Sequence, residues 1–428
     1  MEYIADLHLH SKYAGACSER LLLPAMAETA QKKGISIIAT GDFTHPLWLK
    51  DIKSTLEEDG GLYRIMGGAS DTRFLLGSEI CTIFNDGTGT SQKLGMFSTE
   101  GHVKKIHHVL LAPDIGAVEQ INESLAKYGD LSIDGRPILK ITASELVEAV
   151  MAVDKRNFIF PAHLWTPWFG ALGAFSGFNS VEEAYGDQAR HISAIDMGLS
   201  SDPAMNWRVS KLDRYALIGT SDAHSLQKMG RKATVFELGS SPSYDSIISA
   251  IRGQKIKMTV DFYPEEGKYH YDGHRNCNIS LPPAEAKKYN NLCPVCRKRL
   301  TIGVLHRVEE LADREEGYRP AARPPFVHTV PLQEIIAHVK KKGVGTAYVN
   351  KAYDDLIARF GTEFDILLRV RLDELGKADQ ELANAIGNVR AERVRVIPGY
   401  DGVFGIVDIS NTISNENKSN RQSRISDF

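Results

Sequence analysis

The chain has 428 residues, 43% of them hydrophobic and 25% charged, which is the composition of a globular protein too long for one core, so two or three domains are expected. Its formal net charge of −3 neither indicates nor excludes a nucleic-acid partner, because a local basic patch decides that question. The sequence has neither an apolar run of roughly 18 residues nor a basic N-terminal segment followed by an apolar one, so no membrane span and no secretory signal are predicted.

The cysteines favour a metal site over a disulfide framework. There are five of them, an odd number, and two form a Cys-x-x-Cys pair. Disulfides belong to oxidising compartments, whereas such pairs in a cytosolic chain bind metal or act in redox chemistry. A cytoplasmic protein is therefore expected.

The first half of the chain alternates short hydrophobic runs with helical or loop segments. Seven runs are predicted as strands: residues 3–5, 35–40, 73–78, 107–113, 158–162, 192–195 and 215–220. Helices are predicted at 24–33, ending at Gly34, at 49–56 and at 142–152. Strands that alternate with helices predict parallel βαβ units, and barrels of this kind carry their chemistry at the C-terminal ends of the strands.

Metal-type side chains lie at the ends of most of these strands. They are His8, His10, Asp42, His45, Glu79, His107 or His108, His163, Asp222 and His224. Side chains two residues apart on an extended chain point to the same side, so His8 and His10 can reach one ion. Asp196 also ends a strand, but such an acid often only caps the next turn, and we leave it outside the predicted site.

Imidazoles and carboxylates without a thiolate run suit Zn, Mn or Fe. The set is too large for one tetrahedral ion, so two or three ions are predicted, with a carboxylate such as Glu79 bridging them. Clustered divalent ions suit the hydrolysis of phosphate esters, because they generate hydroxide near neutral pH and neutralise charge on the attacking and leaving oxygens. The alternative to a metal site is that these are ordinary polar residues of the core or of loops. That alternative explains single members of the set better than it explains the whole set.

The order and spacing of these residues over about residues 1–262 resemble the polymerase-and-histidinol-phosphatase (PHP) superfamily. The matching motifs are Asp6-Leu7-His8-Leu9-His10-Ser11, Thr40-Gly41-Asp42, Gly77-Ser78-Glu79, the histidine of His107-His108, Ala162-His163 and Ser221-Asp222-Ala223-His224. The resemblance implies an α/β fold with a distorted (βα)7 barrel and a trinuclear metal centre that hydrolyses phosphoesters. It places His8, His10, Glu79 and Asp222, the residues expected to matter most for catalysis, on one ion. Glu79, His107 and His163 would hold a second ion, and His224 with the 42–45 region a third.

Three positions depart from the superfamily pattern. The common Thr-Asp-His is spread here over residues 40–45, which leaves Asp42 and His45 as alternative ligands. Cys17 replaces the carboxylate or histidine of many members, which weakens the prediction of the third ion. Of His107 and His108 we favour His107, from its distance to the Ala112-Pro113 pair, and expect His108 to face the other way.

Motifs beyond the barrel extend the resemblance to the endonuclease Q family, over about residues 1–408. They are Tyr269-His270-Tyr271-Asp272-Gly273-His274-Arg275-Asn276-Cys277, Cys293-Pro294-Val295-Cys296, the run 300–312, and Pro398-Gly399-Tyr400-Asp401-Gly402-Val403. Members of that family nick DNA on the 5′ side of uracil, hypoxanthine, xanthine or an abasic site. The resemblance therefore implies a metal-dependent endodeoxyribonuclease acting on single- or double-stranded DNA with such a lesion. A sliding clamp or downstream repair proteins are compatible partners for such an enzyme, but no clamp-binding peptide is recognisable; no membrane partner is expected.

The segment after the barrel predicts a structural zinc. Cys293 and Cys296 supply two thiolates on one knuckle, and Cys277 a third. The spacing places the fourth ligand at Ser280, a poor zinc ligand, so His274 is the predicted substitute. A degenerate, metal-free finger is the alternative. No acidic residue interrupts the run 287–307, whose bases Lys287, Lys288, Arg297, Lys298, Arg299 and Arg307 are predicted to bind phosphates rather than form a solvated loop.

Two further stretches are candidate DNA contacts. Trp165 and Trp168 follow the ligand His163 in a glycine-containing loop, where aromatic residues more often pack the loop; stacking on bases is the alternative role. Helices are predicted at 332–339, ending at Gly343, at 352–360 and at 375–389, with a strand at 394–397 and either state at 364–368. Tyr400 then lies in a Pro-Gly turn that suits a DNA contact or a plain turn equally.

These patterns predict a barrel at 1–262, a small zinc-binding module at 263–330, a mainly helical DNA-binding domain at 331–413 and a disordered tail at 414–428. The predicted function is a DNA repair endonuclease with two or three divalent metal ions (Zn, Mn, Fe or Mg) in the barrel and one structural Zn. Two alternatives are a phosphatase of small monoesters such as histidinol phosphate and a DNA-binding protein whose barrel has lost catalysis.

Overall fold

The computed structural model describes residues 1–85, 103–175 and 177–409. The predicted tail at 414–428 and the end of the predicted helical domain lie outside these residues. Along the first part of the chain the strands are β1 (Glu2–Asp6), β2 (Ile37–Ala39), β3 (Leu56–Asp59), β4 (Leu62–Ile65), β5 (Arg73–Asn85), β6 (Val103–Ala112), β7 (Ile138–Leu139), β8 (Phe158–Pro161), β9 (Ala194–Asp196), β10 (Ala216–Ile218), β11 (Ala233–Glu237) and β12 (Ile256–Asp261). The helices there are α1 (Leu23–Lys33), α2 (Pro46–Thr55), α3 (Ile115–Leu125), α4 (Ala143–Val153), α5 (Val181–Tyr185), α6 (Pro203–Trp207) and α7 (Tyr244–Arg252).

The remainder divides into a short-stranded segment and a helical one. The former contains β13 (Asp272–His274), β14 (Ile279–Leu281), α8 (Pro283–Lys288), α9 (Val304–Leu311) and β15 (Phe326–His328). The latter contains α10 (Leu332–Lys340), α11 (Ala347–Phe360), α12 (Glu363–Leu368), α13 (Leu372–Gly376), α14 (Gln380–Arg390), β16 (Arg395–Ile397) and β17 (Ile406–Asp408). The predicted fold class is confirmed, and the domain boundaries stay predictions. β15 nevertheless pairs in parallel with β12, so this piece of the 263–330 segment extends the sheet of the barrel.

Seven strands at the predicted positions follow one another around the barrel: β1, β2, β5, β6, β8, β9 and β10. β2 pairs in parallel with both β1 and β5, and β9 and β10 form a parallel pair. Two contacts close the ring, because the Leu164 amide donates to the Asp196 carbonyl at 2.9 Å and Leu9 forms a parallel bridge with Ala223.

Three expectations are wrong here: that β6 runs parallel to its neighbours, that β5 ends at Glu79, and that His107 stands at the start of β6. β6 is antiparallel to β5 and to β8. β5 continues six residues beyond Glu79 to Asn85, so Glu79 lies inside the strand, and His107 lies in the middle of β6 rather than at its start. The reason is a long antiparallel arm, paired from Leu76–Ala112 to Asn85–Val103, whose length the hydrophobic pattern did not reveal.

Local capping explains where several helices begin and end. α1 ends at Gly34 as predicted, in the left-handed conformation with φ of 83°. α10 ends at Lys341, with φ of 53°, so the predicted stop at Gly343 is wrong. The predicted helix at 375–389 is divided into α13 and α14, because the Asp379 side chain accepts from the Leu382 amide and starts a new helix. The ambiguous 364–368 segment is helical and begins with a capping box at Thr362.

Each region has its own hydrophobic core. The barrel packs two large buried clusters, and α10 to α14 enclose another around residues such as Leu332, Ile366 and Ile386. The core around β14 and α8 is far smaller, with only Ala286, Cys293 and Leu300 fully buried in its cluster. No helix within the described ranges is long and apolar enough to cross a membrane.

Candidate metal centre and nucleic-acid interface

The end of β1, the middle of β5 and the loop after β10 bring four predicted ligands together. Ligand atoms of His8, His10, Glu79 and Asp222, here called the first group, all lie within 4.8 Å of one another. His10 Nε2 is 3.0 Å from Asp222 Oδ1 and 3.2 Å from Glu79 Oε2. His8 Nε2 is 3.6 Å from Glu79 Oε1. The alternation of side chains along the extended segment that follows β1 therefore aims both imidazoles at the same pair of carboxylates.

Glu79 also belongs to a second group, formed with His107 and His163. Its Oε1 atom lies 2.8 Å from His107 Nδ1 and 3.1 Å from His163 Nε2. His107 reaches the site from the antiparallel β6, and His163 follows β8 with a left-handed φ of 29°. One buried carboxylate thus joins two sets of ligands, as the bridging role predicted for it requires.

The charges of the two groups fit bound cations. Burial alone would lower the pKa of His8, but the negative charges of Glu79 and Asp222 outweigh it and raise the pKa to about 10. Burial alone would raise the pKa of Glu79, yet His107, His8 and His10 hold it well below its usual value. His8 Nε2 is buried without a hydrogen-bond partner. The first group thus holds a proton on His8 where a divalent cation would be stable, and metal binding would release it. In the second group, burial lowers the pKa of His107 to about 4, which leaves a neutral imidazole free to bind metal.

Two further carboxylates hold the ligand imidazoles from behind. Asp42 Oδ1 lies 3.0 Å from His10 Nδ1, and Asp196 Oδ2 lies 3.3 Å from His8 Nδ1. Asp196 also accepts hydrogen bonds from the backbone amide of His163 and from the Thr220 hydroxyl. Carboxylates in this position fix the orientation of a metal-binding histidine and raise its basicity. Sequence reasoning left Asp196 aside, because only the folded chain places it beside His8.

The residues predicted for a third ion do not form a group of three in the described part of the chain. Asp42 is engaged with His10, as above. His45 lies 3.1 Å through Nε2 from the Ser132 carbonyl oxygen and stacks on Tyr13. His224 is close to the first group, since its ring centroid lies 4.7 Å from that of His10. The third ion, which the resemblance assigns to His224 with either Asp42 or His45, stays a prediction.

Two neighbouring predictions concern His108 and Cys17. His108 faces away from the site, with Nε2 2.9 Å from the Thr82 hydroxyl and Nδ1 2.8 Å from that of Tyr185. The geometry therefore agrees with the choice of His107, since neighbouring residues of a strand point to opposite faces. Burial raises the pKa of the Cys17 thiol to about 12, so this residue stays neutral beside the site.

Arg136 is a site residue that sequence reasoning missed. Its guanidinium Nη1 lies 3.3 Å from Glu79 Oε2, and a quarter of the side chain is exposed. The residue belongs to the loop between α3 and β7, where a lone arginine cannot be told from an ordinary surface cation. Asp222 and His224 are exposed to a similar degree, so the site opens to solvent on this side.

The predicted zinc ligands also come together. His274, Cys277, Cys293 and Cys296, here called the thiol–imidazole group, have their ligand atoms within 4.8 Å of one another. Ser280 is outside this group and pairs with Gly273 in the β13–β14 hairpin. The geometry favours His274 over Ser280 as the fourth ligand.

Burial corrects part of the predicted DNA interface. Trp165 is fully buried, and its indole Nε1 donates to Asn206 Oδ1 at 2.8 Å. Arg307 is buried and donates to the carbonyl oxygens of Leu172 and Phe178 at 3.0 and 2.8 Å. Both side chains therefore pack the aromatic loop and cannot reach a ligand in solvent.

The other predicted contacts differ in their surroundings. The ammonium groups of Lys287 and Lys288 face Glu309 and Glu285, at 3.5 and 2.6 Å. Trp168 is exposed and stacks on Phe175. Three further predicted cations are exposed: Arg297, Lys298 and Arg299. The half-buried Tyr400 lies in a turn that hydrogen-bonds to the 268–271 segment.

Two family models match parts of the chain. One is described as PHP-associated and matches residues 207–256. The other is described as the MJ0043 C-terminal domain and matches residues 331–393. The protein YqxK of Bacillus subtilis (strain 168) is 27% identical over 423 residues, which cover 94% of this chain and 98% of YqxK. The protein MJ0043 of Methanocaldococcus jannaschii is 31% identical over 247 residues, 56% of this chain but only 31% of that protein's length.

Solved structures match almost the whole fold. The lesion-specific endonuclease PfuEndoQ from Pyrococcus furiosus superposes with a TM-score of 0.82 at 29% identity, over 95% of both chains. A complex of endonuclease Q with a 27-mer duplex substrate carrying an abasic lesion also gives 0.82, at 28% identity over 95% of this chain and 96% of that one.

Fold and site together resemble those of a PHP-type metal-dependent enzyme. The structural matches make the assignment more particular: the predicted resemblance to endonuclease Q is confirmed, and with it the enzyme class, a metal-dependent endonuclease.

Proposed function

We propose that this chain is a DNA repair endonuclease that hydrolyses the phosphodiester on the 5′ side of a deaminated base (hypoxanthine, uracil or xanthine) or an abasic site. The observation that supports it most is Glu79, a buried carboxylate common to the first and second groups. Two ion sites joined by one carboxylate suit the in-line displacement at a phosphodiester, in which the attacking and leaving oxygens both need charge neutralisation. An abasic duplex is the substrate in the matched endonuclease Q complex, which favours a similar substrate here.

The donor set fits divalent ions. The first group would hold one ion through two imidazoles and two carboxylates, and the second another through Glu79 and two imidazoles. Such nitrogen and oxygen donors suit Zn, Mn or Fe, and an open carboxylate edge also accepts Mg. When bound, these ions supply acidified water and positive charge near the scissile phosphate.

The residues of the chain orient and complete this centre. Asp196 and Asp42 hold the rings of His8 and His10, so that both Nε2 atoms face the shared carboxylates. Arg136 offers a guanidinium at the open side of the site, where it can bind a non-bridging phosphate oxygen in a charge-assisted hydrogen bond. The scissile phosphate would therefore enter between Arg136 and Asp222, the partly exposed edge of the centre.

The second metal-type site has a different role in this proposal. The thiol–imidazole group would hold one structural zinc, because four ligands around one point leave no open position for chemistry. Arg297, Lys298 and Arg299 on the same module are exposed cations that would bind the phosphate backbone of DNA, with affinity that falls as salt rises. Trp168 and Tyr400 are the aromatic contacts that this proposal retains. A cytoplasmic location, expected from the cysteines, completes it.

The test is a nicking assay with end-labelled duplexes that carry one abasic site, one hypoxanthine, one uracil or no lesion, in Mg²⁺ or Mn²⁺. We expect one nick just 5′ of the lesion and none in the undamaged duplex. Asp222→Ala should abolish the nick while the variant still binds the lesion duplex, because Asp222 contributes to the first group alone.

Three results would contradict the proposal. Full nicking by Asp222→Ala would refute the metal assignment. Turnover of small phosphomonoesters without a lesion-dependent nick would favour a phosphatase, and a barrel that binds no metal and cuts nothing would favour a DNA-binding protein without catalysis.

A further inference from the structure

The hairpin formed by β16 and β17 exposes a continuous apolar face. Ile397 and Ile406 are opposite each other in the strand register and are 45% and 57% exposed. Val403 and Phe404 lie in the connecting segment, and Phe404 is 63% exposed. These four residues are here called the hairpin face. Single exposed apolar residues are ordinary, whereas several on one narrow ribbon mark a contact surface.

The hairpin is held firmly, so its exposed face is not a fraying end. The other side of the ribbon carries Val396 and Val407, which pack against the core of the helical region. The Gly399 carbonyl oxygen accepts from the Tyr271 amide at 2.9 Å, and the Asp401 carboxylate accepts from the Arg275 amide at 2.7 Å. A rigid ribbon can present an apolar side chain without the entropy cost of ordering it on binding.

Aromatic contacts connect the hairpin with the metal centre. The Tyr269 side chain lies against Gly402 of the hairpin, and its ring is 4.9 Å from that of Trp168. Phe169, the next residue, stacks on the second-group ligand His107 at 4.5 Å between ring centroids. A continuous series of aromatic contacts therefore joins the hairpin to the site where the phosphodiester would be cut.

Cations flank the hairpin face. The Lys268 ammonium lies 4.5 Å from the centroid of the Phe404 ring. The Arg275 guanidinium lies against Gly402. The nearest acid in the turn, Asp401, is engaged within the protein, because its two oxygens accept hydrogen bonds from the Arg275 amide and the Thr301 hydroxyl. An apolar tip between two cations matches a nucleic-acid duplex, whose stacked bases lie between two phosphate strands.

We infer that the hairpin face is a wedge that enters the DNA duplex beside the lesion, with Phe404 between neighbouring base pairs and Lys268 and Arg275 on the phosphates. This inference rests on the proposed function. Apolar side chains inserted between base steps unstack them and kink the duplex. Apart from the partly exposed Asp222, the ligands of the metal centre are buried, so a phosphodiester in a regular duplex has to leave its regular path to reach them, and a wedge would stabilise that distortion.

The test compares Phe404→Ala with Tyr348→Ala, a control in which an exposed aromatic residue of α11 is removed. Both variants should unfold at the wild-type temperature, because both side chains are largely exposed. On a fully paired abasic duplex, Phe404→Ala should nick at least about tenfold more slowly than the wild type and the control. On the same duplex with mismatched pairs beside the lesion, the deficit should shrink to about twofold, since the DNA is already unstacked.

A second readout measures the wedge without cleavage. With 2-aminopurine next to the abasic site, binding of the wild type in excess chelator should raise the fluorescence, and binding of Phe404→Ala should not. Equal nicking of the paired duplex by Phe404→Ala and the wild type would overturn the inference, as would an equal deficit on both duplexes. A hairpin face that joins two copies of the chain would show itself as a dimer that Phe404→Ala dissociates, with nicking unchanged.

The two proposals fail in different ways. If the wild type cuts no lesion duplex, the proposed function is wrong, and the fluorescence experiment alone then decides the wedge. If the wild type nicks beside the lesion but Phe404→Ala does so equally well, only the wedge is wrong.

Discussion

The barrel and the segment that follows it contain two kinds of metal-type site on very different supports. In the barrel, ligands as far apart in sequence as His8 and Asp222 meet on strands that belong to large buried clusters. In the following segment, the four ligands span only residues 274–296, and Cys293 is itself one of three fully buried residues of the local core. The first arrangement needs no ion to exist, whereas the second has little besides the ion to hold it.

Substitutions at the two sites should therefore have different effects, one on the reaction and the other on folding. Removing a barrel ligand should destroy the reaction and leave the fold intact, because the sheet and its cores position the other ligands. Removing a ligand of the thiol–imidazole group should unfold the small module and leave the barrel intact, because metal binding in such modules is folding free energy.

The largest effect is expected for Glu79→Gln. The substitution keeps the size of the side chain but removes the charge that both groups share, so nicking of an abasic duplex should fall by about 1,000-fold or more. The unfolding temperature should stay near that of the wild type, as should the activity of Glu119→Gln, a control on an exposed acid. Substantial nicking by Glu79→Gln would show that the two groups act independently of this carboxylate.

Cys293→Ser should act on the module instead. We expect the loss of one zinc per chain and rapid proteolysis between about residues 274 and 300, while the thermal transition of the barrel is kept. Ser280→Ala is the matched control, since Ser280 has the expected ligand spacing but lies outside the group. Zinc loss in Ser280→Ala and not in His274→Ala would reverse the assignment of the fourth ligand.

Asp196→Asn should give an intermediate effect. Asp196 does not reach the shared carboxylates but holds the His8 ring and the His163 backbone, so metal affinity and nicking should fall by about 10- to 100-fold. Added metal should restore much of the activity, which would separate weaker binding from a lost chemical group. If Asp196→Asn bound metal with wild-type affinity, Asp196 would not be needed to orient His8.

The smallest effect concerns stability and pH. His328 lies 3.2 Å from Asp202 Oδ2 in the barrel and 3.5 Å from Glu392 Oε1 after α14. Burial alone would lower its pKa, but these acids raise it from 6.5 to about 10. A histidine whose pKa is higher in the folded than in the unfolded chain stabilises the fold when it is protonated. This stabilisation is complete below the pKa of the unfolded chain and is lost as the pH rises through the folded-state pKa of about 10.

His328→Asn should therefore lower the free energy of unfolding by about 3 kcal/mol at pH 6 and by much less near pH 10. Chemical denaturation at the two pH values measures this difference. A deficit that grows with pH would mean that His328 is neutral in the folded chain.

Much of the site could be predicted from the sequence because its ligands follow buried strands. His8, His163 and Asp222 come directly after hydrophobic runs, and the ends of neighbouring strands meet in space. The hydrophobic pattern could not show that β6 runs antiparallel, since a buried strand reads the same in both directions. It therefore placed His107 at the start of a strand that extends to both sides of it.

Residue roles that depend on tertiary packing could not be predicted from the sequence. Trp165 and Arg307 are residue types that often contact DNA. In the structure, however, Trp165 donates to Asn206 and Arg307 donates to loop carbonyl oxygens. Asp42 and Asp196 are residue types that serve as metal ligands or helix caps. In the structure, however, each carboxylate is paired with the Nδ1 atom of a histidine ligand. In each case the partner lies at least 32 residues away, and no local pattern identifies it.

The most direct test of the shared-carboxylate centre is the metal content of the purified, reconstituted protein, compared between the wild type and Glu79→Gln. We predict at least three ions per chain in the wild type, of which one is zinc in the module. Glu79→Gln should retain that zinc and lose the barrel ions together, with an unchanged unfolding temperature. A variant that keeps its barrel ions at wild-type occupancy would contradict the account, because Glu79 would then not join the two groups.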